Sequence, residues 1–187
     1  MNHYMHQFLV KRLEDEEFDI VKEKVSEFNS YYIEEDLDDE SIEEHDHVNL
    51  EICDVSDNSL NEIFLPIFQE VNKLNHWNFE IDDEIEFKKY KFETGNFYGW
   101  HIDESMWLPE KTHDGKMRKI SFILSLNESE SDFAGGQHDL ITHQHTRFTL
   151  APQEIIVFLS DCPHRIAEVT DGRKDLLVGW IKGPPFK

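Results

Sequence analysis

Two imidazoles and one carboxylate have the residue types and spacing to hold a metal ion. His101 and Asp103 are one residue apart in Gly99-Trp100-His101-Ile102-Asp103, and His164 follows far downstream. Residues i and i+2 of an extended strand point to the same side, so His101 and Asp103 can both reach one ion. Three such ligands cover one face of an octahedral ion and leave three positions open. The pattern therefore predicts a metal centre with room for other molecules.

A cation follows the second imidazole. Arg173 comes nine positions after His164, behind the turn Thr170-Asp171-Gly172. A guanidinium pairs with a carboxylate through two parallel hydrogen bonds, so Arg173 would suit a second small molecule that carries a remote carboxylate. The alternative for Arg173 is a solvent-facing residue at the start of a strand.

Composition indicates one globular domain and argues against polyanionic partners. The chain has 187 residues, 39% of them hydrophobic, with fourteen phenylalanines, which suffices for a core of its own. The formal net charge of -22 argues against binding nucleic acid or an anionic membrane surface, because both require clustered Lys and Arg. A basic protein partner would be favoured, although surplus acid is also typical of a solubilising surface.

Cysteine usage and the N-terminus indicate a reduced, cytoplasmic protein. Cys53 and Cys162 form neither a CxxC motif nor a disulfide framework. The first residues lack a cationic start followed by an apolar run, and no apolar stretch approaches the length of a membrane span. We therefore expect a cytoplasmic location.

Apolar periodicity divides the chain into two parts. Residues 1–76 have helix-like spacing from Leu13 to Asn29 and from Ser59 to Asn75, where Pro66 interrupts the pattern. Between these two segments, the acidic run from Glu34 to Asp46 is typical of a solvated loop. The first part is therefore predicted to be mainly helical.

Residues 77–187 have the pattern of short strands separated by turn signals. The predicted strands are Ile85 to Phe92, Ile120 to Leu126, His138 to Ile141, Thr146 to Leu150, Ile155 to Leu159 and Leu176 to Ile181. Many short strands of this kind predict an antiparallel sandwich or jelly roll with the helices packed outside. We therefore expect a single, mainly β domain (α+β), with residues 1–76 supporting the core of residues 77–187.

Further motifs accompany the candidate ligands. They are Phe92-Glu93-Thr94-Gly95-Asn96-Phe97-Tyr98-Gly99-Trp100-His101-Ile102-Asp103, Arg118-Lys119-Ile120-Ser121, Leu126-Asn127, Phe133-Ala134-Gly135-Gly136, Pro163-His164-Arg165-Ile166, Gly172-Arg173 and Trp180. In this order and at these intervals, residues 90–183 resemble the catalytic region of the 2-oxoglutarate/Fe(II)-dependent dioxygenases. The resemblance is specifically to the prolyl 4-hydroxylase-like superfamily and its bacterial PKHD-type members. It covers about half of the chain and implies a double-stranded β-helix core.

The resemblance also implies roles for individual residues. His101, Asp103 and His164 fall on the positions that hold Fe(II), and Arg173 falls where the family binds the distal carboxylate of 2-oxoglutarate. O2 is then the second co-substrate, and ascorbate is an optional cofactor. These four residues are the predicted catalytic set.

Five more residues are candidates for the 2-oxoglutarate pocket. Ser125 matches a position that in some relatives is a tyrosine touching the co-substrate, and Ser121 lies on the same strand face; either could equally be a buried core hydroxyl. The family usually has a tyrosine nine residues before the first histidine, where this chain has Phe92. Tyr90 could replace that tyrosine only with a shifted register. Trp180 has the setting of a core aromatic near the end of the pattern.

The reaction implied by the resemblance is hydroxylation of an unactivated C–H bond, coupled to decarboxylation of 2-oxoglutarate to succinate and CO2. The substrate would be a prolyl or other residue of a protein or peptide, and a free amino acid or small metabolite is the alternative. Two rival classes remain open: a cupin-like metalloenzyme that does not use 2-oxoglutarate, and a non-enzymatic module that binds a basic partner. The loop from Glu104 to Lys116 is predicted to be a lid or ordinary surface.

Overall fold

The computed structural model describes residues 8–35, 48–105 and 115–185. Most of the acidic run from Glu34 to Asp46 and most of the predicted lid from Glu104 to Lys116 lie outside the described residues. In chain order, the elements are β1 (Phe8–Arg12), α1 (Asp15–Ser26), β2 (Tyr32–Glu35), β3 (Val48–Val55), a 3-10 turn (Asn58–Leu60), α2 (Asn61–Leu74), β4 (Ile85–Glu93), β5 (Phe97–His101), β6 (Met117–Ser125), β7 (Phe133–Gly135), β8 (His138–Ile141), β9 (His145–Phe148), β10 (Glu154–Leu159), β11 (His164–Ile166) and β12 (Val169–Gly183).

The described strands form an antiparallel jelly roll. They hydrogen-bond in the order β1-β10-β6-β12-β4-β3-β5-β11-β8-β9, with β2 beside β3 and β7 beside β12. From β4 to β12, the chain passes repeatedly between the group β10-β6-β12-β4 and the group β5-β11-β8-β9. This winding is that of a double-stranded β-helix, which confirms the predicted fold class.

Two apolar clusters cover the two faces of the group β10-β6-β12-β4. One cluster joins the helices to the sheet, and its centre is the stacked pair of Phe64 in α2 and Phe122 in β6, with ring centroids 4.6 Å apart. The other cluster fills the space between the two strand groups. Alternation along β12 assigns side chains to these clusters: Leu177 faces the helices, whereas Leu176 and Val178 face the interior.

The N-terminal part contains strands that the periodicity did not predict. β1 adds to the sheet edge beside β10, and β3 bridges β4 and β5. The helices are present: α1 is shorter than predicted, and α2 continues through Pro66. β1 was missed because it is held by backbone pairing and has no clear alternation between buried and exposed side chains.

Candidate metal centre

Three side chains from separate segments converge inside the jelly roll. His101 ends β5 and His164 begins β11, and the two residues are direct partners in the antiparallel pair. His101 Nε2 and His164 Nε2 lie 3.7 Å from Asp103 Oδ1 and Oδ2, respectively. One ligand atom from each residue lies within 4.8 Å of the others. The structure therefore brings the three predicted ligands together.

Asp103 reaches this site from a loop and not from a strand. β5 ends at His101, so the expected extension of the strand through Asp103 is wrong. The Asp103 backbone N–H donates to Ser160 O at 3.0 Å, which ties this loop to the residue just after β10. A backbone hydrogen bond, and not strand pairing, therefore places the carboxylate between the two imidazoles.

Backbone carbonyls orient both imidazoles. His101 Nδ1 lies 2.8 Å from Gly99 O, and His164 Nδ1 lies 2.9 Å from Cys162 O. A carbonyl only accepts, so each Nδ1 carries the proton and each Nε2 presents its lone pair toward the site. Burial, together with the adjacent His164, lowers the pKa of His101 to about 4. His101 is therefore neutral at neutral pH, which is the form that binds a metal.

Two polar groups hold the carboxylate of Asp103. Ser121 and Trp180 both hydrogen-bond it, and the Ser121 hydroxyl also lies 2.9 Å from the Ser160 hydroxyl. Burial opposes ionisation of Asp103, but the two imidazoles and these hydrogen bonds bring its pKa below the ordinary value. Ser121 and Trp180, predicted to contact the co-substrate, thus contact the metal-site carboxylate. Two imidazoles and one oriented carboxylate, with open positions beside them, suit Fe(II).

A β-bulge shapes the wall next to His101. His101 pairs with His164 and Tyr98 with Ile166, so three residue steps on β5 match two on β11. The extra residue puts Tyr98 and His101 on the same face, where their rings stack with centroids 3.7 Å apart. Tyr98 is one of the residues that line the pocket beside the three candidate ligands.

Tyr90 lines the same pocket, whereas Phe92 does not. Both residues are buried on the interior face of β4, and their rings meet edge to face with centroids 6.3 Å apart. Tyr90 contributes to the pocket wall together with the three candidate ligands. Phe92 packs behind Tyr90 in the interior cluster. The phenol at position 90 therefore needs no shifted register to reach the site.

Arg173 is not brought to the site, contrary to the prediction. Its side chain is 45% exposed, and its Nε donates to Asp175 Oδ1 at 2.9 Å. The reason is strand alternation, because Arg173 shares the parity of Leu177, whereas Lys174 shares the interior parity of Leu176. Of these two adjacent cations, Lys174 is therefore the one that faces the interior of the jelly roll.

Lys174 is fully buried at the far end of the interior. Its Nζ donates to Gly136 O and lies 2.9 Å from His138 Nε2. Gly136 leaves room for this side chain, because a Cβ at position 136 would lie 3.1 Å from Lys174 Cδ. Burial lowers the pKa of Lys174 to about 7. No carboxylate among the described residues pairs with Lys174, and a buried ammonium without a counter-ion is costly, so this position favours an anionic ligand.

Ser125 lies at the end of β6, beside the part of β12 that contains Lys174, but its hydroxyl already donates a hydrogen bond within the chain. It is buried on β6 opposite Leu176, and its hydroxyl donates to Asn127 O at 3.0 Å. The Asn127 side chain in turn donates to Arg173 O at 2.7 Å and accepts from the Asp175 N–H at 3.0 Å. These hydrogen bonds of Ser125 and Asn127 therefore fix the segment of β12 from which Lys174 projects.

A buried carboxylate on the outer face ties the strands behind the site. Asp139 in β8 accepts two hydrogen bonds from Arg147 in β9, at 2.8 and 2.7 Å, and one from Arg165 in β11 at 2.7 Å. His145 Nε2 lies 2.7 Å from the same carboxylate. These bonds, with Arg147 contributing most, hold the pKa of Asp139 well below its ordinary value. Asp139 thus clamps β8 and β9 to β11, the strand that begins with His164.

Asp139→Asn is expected to lower the free energy of unfolding by about 2 kcal/mol and the Tm by about 4–8 °C. The native pKa is depressed, so the contribution is complete above about pH 4 and is lost as the pH falls further. Thermal unfolding of the wild type and of Asp139→Asn from pH 3 to 8 measures the loss of stability and its pH dependence. Asp54→Asn is the control, because the Asp54 side chain is exposed and its ion pair with Lys88 is long, at 3.8 Å. Equal Tm shifts in both variants would contradict the claim that the hydrogen bonds of Asp139 hold β8 and β9 to β11.

Comparison with known proteins places this site in a family. Residues 85–182, slightly more than half of the chain, match the sequence model of the 2OG-Fe(II) oxygenase superfamily. The chain therefore belongs to that superfamily, whose chemistry uses Fe(II), 2-oxoglutarate and O2. It is 38% identical over 89 residues to a PKHD-type hydroxylase from Prochlorococcus marinus strain NATL1A. That match covers 47% of this chain and 37% of the relative, so the chain spans well under half of that relative's length.

Solved structures agree on the fold. A viral collagen prolyl hydroxylase from Paramecium Bursaria Chlorella virus-1 superposes with a TM-score of 0.66 at 15% identity, covering 95% of this chain and 97% of that one. A Pseudomonas putida prolyl-4-hydroxylase superposes with a TM-score of 0.66 at 16% identity, covering 95% and 94%. The predicted resemblance is thus confirmed: to PKHD-type hydroxylases in sequence, and to prolyl hydroxylases in fold. Among the described helices, none has the length and apolar character needed to cross a bilayer.

Proposed function

We propose that this protein is an Fe(II)- and 2-oxoglutarate-dependent hydroxylase, in which His101, Asp103 and His164 bind the iron. The observation that supports this most is the convergence of two oriented Nε2 lone pairs and one held carboxylate within 4.8 Å. Iron bound there would activate O2 for C–H hydroxylation coupled to decarboxylation of 2-oxoglutarate to succinate and CO2. The donor set fits this metal, because imidazole and carboxylate ligands on one face leave positions for an oxo acid and O2.

Lys174, in place of the predicted Arg173, would bind the distal carboxylate of 2-oxoglutarate. It is the buried cation on the interior face of β12, the strand that also supplies Val178 and Trp180 to the pocket. An ammonium that is already desolvated binds a carboxylate strongly, because little further dehydration is needed. Tyr90, Trp180 and Val178 would exclude water around the oxo acid. A cupin-like enzyme that does not use 2-oxoglutarate would have no use for Lys174.

The proposed substrate is a prolyl or other residue of a protein or peptide. Support comes from the names of similar proteins, which include PKHD-type hydroxylases and prolyl hydroxylases. The net charge of -22 would favour a substrate with basic flanking residues. A free amino acid is the alternative substrate, and a basic protein remains the proposed partner.

Proline-rich peptides incubated with the protein, Fe(II), 2-oxoglutarate and air are expected to gain the mass of one oxygen atom. Lysine-flanked peptides should react faster than glutamate-flanked peptides of the same length, and raised salt should reduce that difference. Mass spectrometry of the peptides measures both effects. Oxidation of free proline without any peptide oxidation would reverse the proposed substrate class.

A further inference from the structure

His138 is a buried imidazole that lies next to Lys174. It lies in β8 on the interior side, and its ring packs nearly parallel to Phe148 with centroids 5.5 Å apart. Its Nε2 lies 2.9 Å from Lys174 Nζ. Burial, and then Lys174, lowers the pKa of His138 well below the ordinary value, so the ring is neutral. The mechanism described above has not used this side chain.

The hydrogen bonds around this pair are incomplete. Because His138 Nε2 accepts from the ammonium, Nδ1 carries the proton, and within the described residues this buried Nδ1 has no partner. Lys174 has three N–H groups, of which Gly136 O and His138 Nε2 take two. Buried donors are rarely left unpaired in folded proteins. This end of the interior therefore has unused donors that an anionic occupant would satisfy.

The position of the pair suits a short dicarboxylic oxo acid. His164 pairs with Leu140, and Ile166 pairs with His138 on the same two strands. His138 is thus two residues along β8 from Leu140, the residue that pairs with the candidate ligand His164. Two residues of a strand correspond to about 7 Å. An oxo acid of five carbons with a carboxylate at each end would be long enough to extend from the three candidate ligands toward this pair.

We propose that His138 is a positioning residue for the co-substrate. Together with Gly136, it fixes the ammonium of Lys174 so that the remaining N–H meets the remote carboxylate of a dicarboxylic oxo acid. This inference rests on the proposed function and names a residue that determines its co-substrate selectivity. A side chain without an acceptor at position 138 would leave Lys174 one hydrogen bond short in a desolvated site.

The matched variants are His138→Phe, which keeps an aromatic ring against Phe148 but removes the acceptor, and His138→Gln, which keeps an acceptor. The ligands are 2-oxoglutarate and 2-oxopentanoate, which has the same five carbons but no remote carboxylate. Calorimetric titration of each ligand into the Fe(II)-loaded protein under nitrogen gives the Kd without turnover. If His138→Phe does not fold, His138→Asn, whose amide is too short to reach Lys174, replaces it.

We expect His138→Phe to raise the Kd for 2-oxoglutarate by about 10- to 100-fold and to leave the Kd for 2-oxopentanoate unchanged. His138→Gln should stay within about 3-fold of wild type for both ligands. An unchanged Kd for 2-oxoglutarate in His138→Phe, or equal losses for both ligands, would overturn the inference and leave the proposed function standing. If the wild type does not bind 2-oxoglutarate, the proposed function and the inference both fail.

Discussion

Lys174→Met is expected to lower kcat/KM for 2-oxoglutarate by at least about 100-fold, whereas Arg173→Met changes it by less than about 3-fold. The two positions are adjacent, but strand alternation places Lys174 in the interior and Arg173 at the surface beside Asp175. Methionine matches the length of the lysine stem, so the variant removes the charge and the donors with little change in packing. Succinate release at varied 2-oxoglutarate concentration measures both variants.

The adjacent pair provides its own control. Arg173→Met breaks the surface ion pair with Asp175, which contributes little to stability. If Arg173→Met lost activity and Lys174→Met retained it, the guanidinium predicted from the motif interval would be the co-substrate anchor after all. In that case the buried lysine would be a packing residue without a role in binding.

His164→Ala is expected to weaken Fe(II) binding by at least about 100-fold. Loss of groups that merely orient a metal ligand costs about 10- to 100-fold in affinity, and loss of a ligand itself should cost more. The buried position of His164 beside Asp103 leaves no other described imidazole except His101 within reach of the ion. Calorimetric titration with Fe(II) under nitrogen measures the affinity.

His143→Ala is the matched control for metal binding, because His143 is an exposed imidazole in the β8–β9 turn. It should bind Fe(II) as the wild type does. Equal Fe(II) affinity in the wild type and in His164→Ala would show that the ion is held elsewhere. The three-residue centre would then be a structural cluster.

The metal ligands could be predicted from the sequence, but the way in which they converge could not. His-x-Asp and the downstream Pro-His have recognisable residue types and spacing, so His101, Asp103 and His164 stand out in the chain. Their meeting depends on the pairing of β11 with β5 and on the contact of Asp103 with Ser160. These contacts join residues about sixty positions apart, and no local pattern encodes them.

The error at Arg173 has a physical cause. The interval after His164 indicated a cation, and Arg173 was chosen because guanidinium suits a carboxylate. The alternation of Leu176 and Val178 in the apolar strand, extended back by two residues, would have placed Lys174 in the interior. When two adjacent cations are candidates for one binding role, the alternation of buried and exposed side chains along the strand thus predicts the binding residue better than residue type does.

The β-bulge and the role of His138 illustrate what remains hidden in the sequence. Gly99 gives no sign that Tyr98 and His101 will share a face, because a bulge depends on how the partner strand is paired. His138 lies close in sequence to His143 and His145, and its burial against Lys174 is what distinguishes it from them.

The most direct test of the central claim is Fe(II)-dependent succinate formation from 2-oxoglutarate in air, compared between the wild type and His101→Ala. Removing His101 takes away one imidazole of the three-residue centre and leaves Lys174 in place. We predict succinate from the wild type only when Fe(II) is added, and none above background from His101→Ala. Equal succinate formation by both proteins, or none by the Fe(II)-loaded wild type, would contradict the assignment.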